Sequence, residues 1–158
     1  MPRRVERREF RPDDTRAVVS DLESIVADRR GWCNLLPGVV DDDDDIRPTV
    51  QTPLAAMFGT RTTGVTMGTI TAPSGRRDTL SVGLMHPRGR HAVAQLAELG
   101  LPLRSGWRVT QDHARRGLVV AVPGTEDVGT VLDWVLCAGT ALSTVALTGS
   151  WQAEVHLG

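Results

Sequence analysis

The spacing of hydrophobic residues changes several times along the chain, and each change marks an element. After Asp13-Asp14, residues Val18, Leu22, Ile25 and Arg29 fall on one helical stripe, widened by Val19 and Val26 and ended by Gly31. The two aspartates suit the positive end of a helix that starts at Thr15. Beyond residue 63 the pattern turns to β. Residues 63–72 and 79–86 are rich in β-branched side chains and flank Pro73-Ser74-Gly75-Arg76-Arg77-Asp78, the composition of a hairpin turn. In the second of these strands Leu80, Val82, Leu84 and His86 share a face. In the first, Val65 and Met67 are out of phase with Ile70 and Ala72, which predicts a bulge at Gly68. A helix over about 89–99 follows, with Val93, Leu96 and Leu99 inward, His91, Gln95 and Glu98 outward, and Gly100 past its end.

The order then repeats. Residues 107–112 and 118–122 flank a second turn, His113-Ala114-Arg115-Arg116-Gly117, and Thr125 is the predicted N-cap of a second long helix. On that helix Val128, Val131, Leu132, Val135 and Leu142 face inward, with Thr130, Asp133, Cys137 and Thr140 opposite. Over 150–157 the pattern alternates: Trp151, Ala153, Val155 and Leu157 on one side, Gln152, Glu154 and His156 on the other, as in a half-buried strand. Residues 31–62 are the least regular. A compact apolar run from Trp32 to Gly38 precedes the unbroken aspartates Asp41 to Asp45, and 50–58 is either a strand or a helical turn.

These elements predict one α+β domain over 14–158. It is a two-layer fold with a mostly antiparallel sheet, helices on one face, two ββα units and the order α-β(2-3)-α-β(2)-α-β. Residues 1–13, with Arg3, Arg4, Arg7, Arg8 and Arg11 among acids, form an arm or an edge strand, and an irregular acidic loop spans about 38–50. Over residues 14–143 this order resembles the type III secretion chaperone-like fold, with the strand at 150–157 as an addition. The resemblance is one of topology. It implies a homodimer that binds segments of other proteins.

Composition narrows the chemistry. The chain has 158 residues, 41% hydrophobic and 23% charged, with a formal net charge of −1. That is a globular composition, and its near-neutral charge gives no global pull toward nucleic acid or a membrane surface. No apolar run approaches the roughly 20 residues of a spanning helix. Two cysteines, Cys33 and Cys137, make no disulfide framework, so a reducing cytoplasm is the expected compartment. All 18 basic residues are Arg and Tyr is absent, the codon signature of a high-GC bacterium. Without Lys there is no Schiff-base or P-loop chemistry.

The remaining candidates are few. The run Asp41 to Asp45 lacks the alternate spacing, central Gly and distal Glu of a calcium loop and reads as solvated. No metal and no cofactor is expected, and no Gly-x-Ser-x-Gly, Gly-x-Gly-x-x-Gly or His-Glu-x-x-His occurs. His86 alone among the histidines has inward strand parity, so it is the titratable group around which a ligand pocket could form. The turn pairs Arg76-Arg77 and Arg115-Arg116 would make an anion patch if the hairpins lie side by side. Trp134 and Leu136 flank the stripe of the last helix and Cys137 sits on its polar side, which places these three at an interface with a second copy or beneath the N-terminal segment. The leading expectation is a non-catalytic, homodimeric interaction or chaperone-like module. The alternatives are an enzyme or small-molecule site near His86, and anion or RNA binding through the arginine pairs.

Overall fold

The computed structural model describes residues 4–40 and 64–158. The acidic run and residues 50–58 lie outside the described residues. Strand β1 (Arg4–Phe10) is followed by helix α1 (Arg16–Asp28) and β2 (Trp32–Val39). Then come β3 (Met67–Thr71), β4 (Thr79–Met85) and α2 (Ala92–Glu98). The second unit is β5 (Arg108–His113), β6 (Gly117–Pro123) and α3 (Val128–Leu142), and β7 (Leu147–Leu157) closes the order. The strands make one seven-stranded sheet in the order β1-β7-β2-β3-β4-β6-β5, antiparallel at every pairing. This is the α+β architecture with both ββα units expected from the pattern. No helix among the described residues is long and apolar enough to cross a membrane.

The terminal strand is central to the left half of the sheet. β7 lies between β1 and β2, pairing Glu6 with Val155 and Cys33 with the same Val155. Its inward residues Trp151, Ala153 and Val155 join Leu22, Ile25, Leu35, Ile70, Val131 and Leu132 in one apolar core beneath α1 and α3. Burial of this size is the main stabilising term of the fold. The arginine-rich start is an edge strand. On its helix-facing side Arg8 pairs with Asp21 of α1 and with Glu6, and Arg4 lies 2.6 Å from Glu6. Alternation in β1 therefore sorts charges toward α1 and not into the core.

Four local expectations are corrected. Gly68 holds a regular place opposite Leu84 with no bulge. Its smallness serves α3, because a Cβ there would lie 2.6 Å from Val135 Cγ1. The cap of α3 is Asp127, not Thr125: its carboxylate accepts the Thr130 N–H at 3.0 Å, at the i+3 spacing that a capping side chain reaches. Leu99 does not face inward; α2 ends at Glu98, and Leu99 is 59% exposed while Ala92 and Leu96 are buried. Arg29 leaves the stripe of α1 by adopting φ 53°, the left-handed turn that ends the helix.

Candidate functional site

The polar side of β7, with its neighbours β1 and β2, carries a row of polar side chains joined by hydrogen bonds and a ring stack. Alternation puts Gln152, Glu154 and His156 away from the helices, and the register sets Arg7 and Asn34 beside Glu154 and Trp32 beside His156. His156 Nε2 lies 2.7 Å from Glu154 Oε1, and Arg7 Nε donates to Glu154 Oε2 at 3.2 Å. The His156 ring stacks on Trp32 with centroids 4.5 Å apart and planes 13° from parallel. Asn34 Oδ1 accepts from Thr69 Oγ1 at 3.0 Å, extending the polar row onto β3.

The carboxylate holds this cluster together. Burial pushes the Glu154 carboxyl up, but hydrogen bonds and charge from His156 and Arg7 together outweigh burial and hold it below its ordinary value. An ionised Glu154 accepts, so His156 presents Nε2–H to it. Side chains of Glu154 and His156 keep only 15% and 12% exposure, whereas Arg7 keeps 68%. Beside Arg7 a groove of ≈ 540 Å³ runs along the sheet, floored by Leu36, Gly38 and Gln152 and walled by Glu9. Among the described residues no group of His, Cys, Asp or Glu is placed to hold a metal ion.

No family model, no curated protein and no solved structure matches the chain.

The residues singled out in the sequence fall elsewhere. His86 has the inward parity expected and is buried. Its Nδ1 accepts the Arg88 N–H at 3.2 Å, and Nε2, buried too, meets no acceptor among the described residues. Burial lowers its pKa, against an opposing pull from Asp112. The two arginine pairs are not side by side. Thr79 pairs with Pro123 and Leu84 with Leu118, so Arg76-Arg77 and Arg115-Arg116 turn at opposite ends of the sheet, about 20 Å apart by strand length. Trp134 and Leu136 are covered by this chain: the Trp134 indole meets Trp107 edge-on at 5.3 Å, and Trp107 Nε1 donates to Glu126 Oε2 at 2.9 Å. Cys137 is exposed, beside Asp133 and Thr130 in a shallow cleft against the segment from Gly100 to Arg104. Cys33 is buried and its thiol is pushed up to about 12, which removes it as a nucleophile.

Sequence reasoning missed Arg7, Trp32, Asn34, Glu154 and His156 as a site. The alternation of 150–157 already put Glu154 and His156 on one face. What brings in Trp32 is a pairing across more than a hundred residues, which no local pattern carries.

Proposed function

We propose that the chain is a non-catalytic interaction module that holds a segment of another protein on the β1-β7-β2 face. The observation that supports this is the fixed polar row Arg7–Glu154–His156, stacked on Trp32 and set beside a groove. Groups already locked by hydrogen bonds lose little freedom when a partner arrives. The sheet edges are poorer candidates. β1 carries five charged side chains in its seven residues, and β5 is broken by a register shift between Val109 and Gln111; both features discourage strand addition. Topological resemblance to secretion chaperones, whose members bind protein segments and commonly dimerise, points the same way.

The test is a photo-crosslinking amino acid placed at Gln152 in cells of the native host, with Ser105, in a loop at the far side of the sheet, as the control position. The expected result is one defined adduct from position 152, identified by mass spectrometry. The purified segment should then bind wild type, and Arg7→Glu should weaken that binding about tenfold or more. Adducts of equal yield at both positions would overturn the reading. An adduct with a second copy of the chain would assign the face to self-association instead.

A further inference from the structure

Strand β4 runs into α2 through a corner that hangs on one buried imidazole. His86 Nδ1 accepts the Arg88 N–H at 3.2 Å, so the neutral ring carries its proton on Nε2. The same corner is tied outward in two directions. Arg88 Nε donates to Leu142 O, at the end of α3, at 3.3 Å. Gln95 Nε2 of α2 donates to Arg88 O at 3.0 Å and to Arg90 O at 2.9 Å. Helix α2 receives no cap from the residue before it, since His91 stands there at φ 63° and makes no capping bond with its side chain. Asp112 of β5 supplies one instead: Oδ1 accepts the Ala92 N–H at 3.1 Å and Oδ2 the Val93 N–H at 3.2 Å. Of the seven residues of α2, Ala92 and Leu96 are the two that are buried. A short helix held in this way is an element that opens at low cost.

We propose that protonation of His86 releases α2 from the rest of the fold, an acid-triggered local opening. The added proton must go to Nδ1, where it confronts the Arg88 N–H and abolishes that hydrogen bond. Among the described residues, Asp112 is the acid whose charge acts on the ring, and its carboxylate is already committed to α2. An imidazolium that draws this carboxylate takes the cap from α2; one that swings to solvent takes away the corner. The other neighbours bring no acid. At this end β3 sets Met67 opposite Met85, β6 sets Leu118 opposite Leu84, and α3 finishes in Ala141-Leu142. Arg88 is engaged with Leu142 O, while Arg90, His91, Arg115 and Arg116 are exposed. His113 is held in its own turn, with Nδ1 accepting the Arg115 N–H at 3.0 Å and the Arg116 N–H at 3.2 Å. Opening bares the strip where α2 packs on α3, an apolar surface that the chain presents in acid and covers at neutral pH. It uses none of the residues of the β1-β7-β2 face.

Hydrogen exchange followed by mass spectrometry at pH 7.5 and 5.5, corrected for intrinsic exchange rates, tests this on the whole chain. The opened ring titrates near the ordinary value of about 6.5, and the buried ring below it. Each pH unit below about 6.5 therefore favours the open form by up to about tenfold, until the folded value is passed. Amides of α2 should lose up to about tenfold in protection at pH 5.5, while those of α3 and β7 keep theirs. His86→Gln keeps an acceptor for the Arg88 N–H and cannot become charged, so it should hold α2 protected in acid. His113→Gln should behave as wild type. Ring-nitrogen NMR of the wild type needs no variant to fold: Nε2 should carry the proton at pH 7.5, and Nδ1 should gain one over the range in which amides 88–98 shift. Equal loss in α2 and α3, the same loss in His86→Gln, its abolition in His113→Gln, or a neutral ring protonated on Nδ1 would overturn the proposal.

Discussion

Gly68 of β3 and Val135 of α3 approach so closely that a single methyl group on the glycine would lie 2.6 Å from Val135 Cγ1. The contact sets how near α3 lies to the sheet, because Gly68 is on the inward side of a regular strand. Gly68→Ala should destabilise the fold by about 1–3 kcal/mol, the cost of overpacking a full core. Urea denaturation measures it. Adding Val135→Ala should return part of the loss, as coupling between touching residues requires.

Trp134→Ala removes a side chain that is 7% exposed and wedged against Trp107. The expected loss is about 3–5 kcal/mol, typical of emptying a buried aromatic site. Since the chain itself covers the indole, the drop in melting temperature should be the same at low and high protein concentration. A drop confined to concentrated samples would instead place Trp134 between subunits.

His86 predicts a dependence on pH in the neutral-to-acid range. Its folded pKa lies below its ordinary value because burial disfavours the charged ring. The folded state therefore binds the proton less well than the unfolded chain does. The stability this group contributes is complete above its unfolded pKa of about 6.5 and is lost as pH falls through the folded value. In wild type, melting temperature should decline from pH 7.5 toward 5. His86→Gln, which keeps an acceptor for the Arg88 N–H, should flatten that slope.

Glu154 acts lower on the scale. Its folded pKa is depressed, so its contribution is present above the unfolded carboxyl value and disappears as pH falls through the folded one. Glu154→Gln should lower the melting temperature at pH 7 and converge on wild type in strong acid. Carboxyl carbon shifts followed by NMR titration locate the midpoint directly.

How much of this was legible in the sequence differs by element. Helix α3 was, because Val128, Val131, Leu132 and Val135 repeat at helical spacing and little else can bury them. The inward parity of His86 was legible too. Gly68 was misread because a glycine at a phase change looks the same whether it makes a bulge or makes room for a helix; only the position of Val135 decides. The capping role of Asp127 over Thr125 turned on where the helix begins, and both residue types cap well. The polar row at Glu154 was half visible. Its alternation lay in the sequence, but its partners Arg7 and Trp32 arrive through strand pairings between the two ends of the chain.

The insertion of β7 between β1 and β2 has a consequence for how the molecule is made. On the ribosome, β1, α1 and β2 emerge first and must wait for residues 147–157 before either strand gains this neighbour. Until then β2 can pair only with β3, and its other edge, with backbone groups unpaired, is an open template for another nascent chain. Completion of this half of the sheet is therefore a late event in synthesis, governed by closure over most of the polypeptide length, and it is the step at which a truncated or stalled product would aggregate.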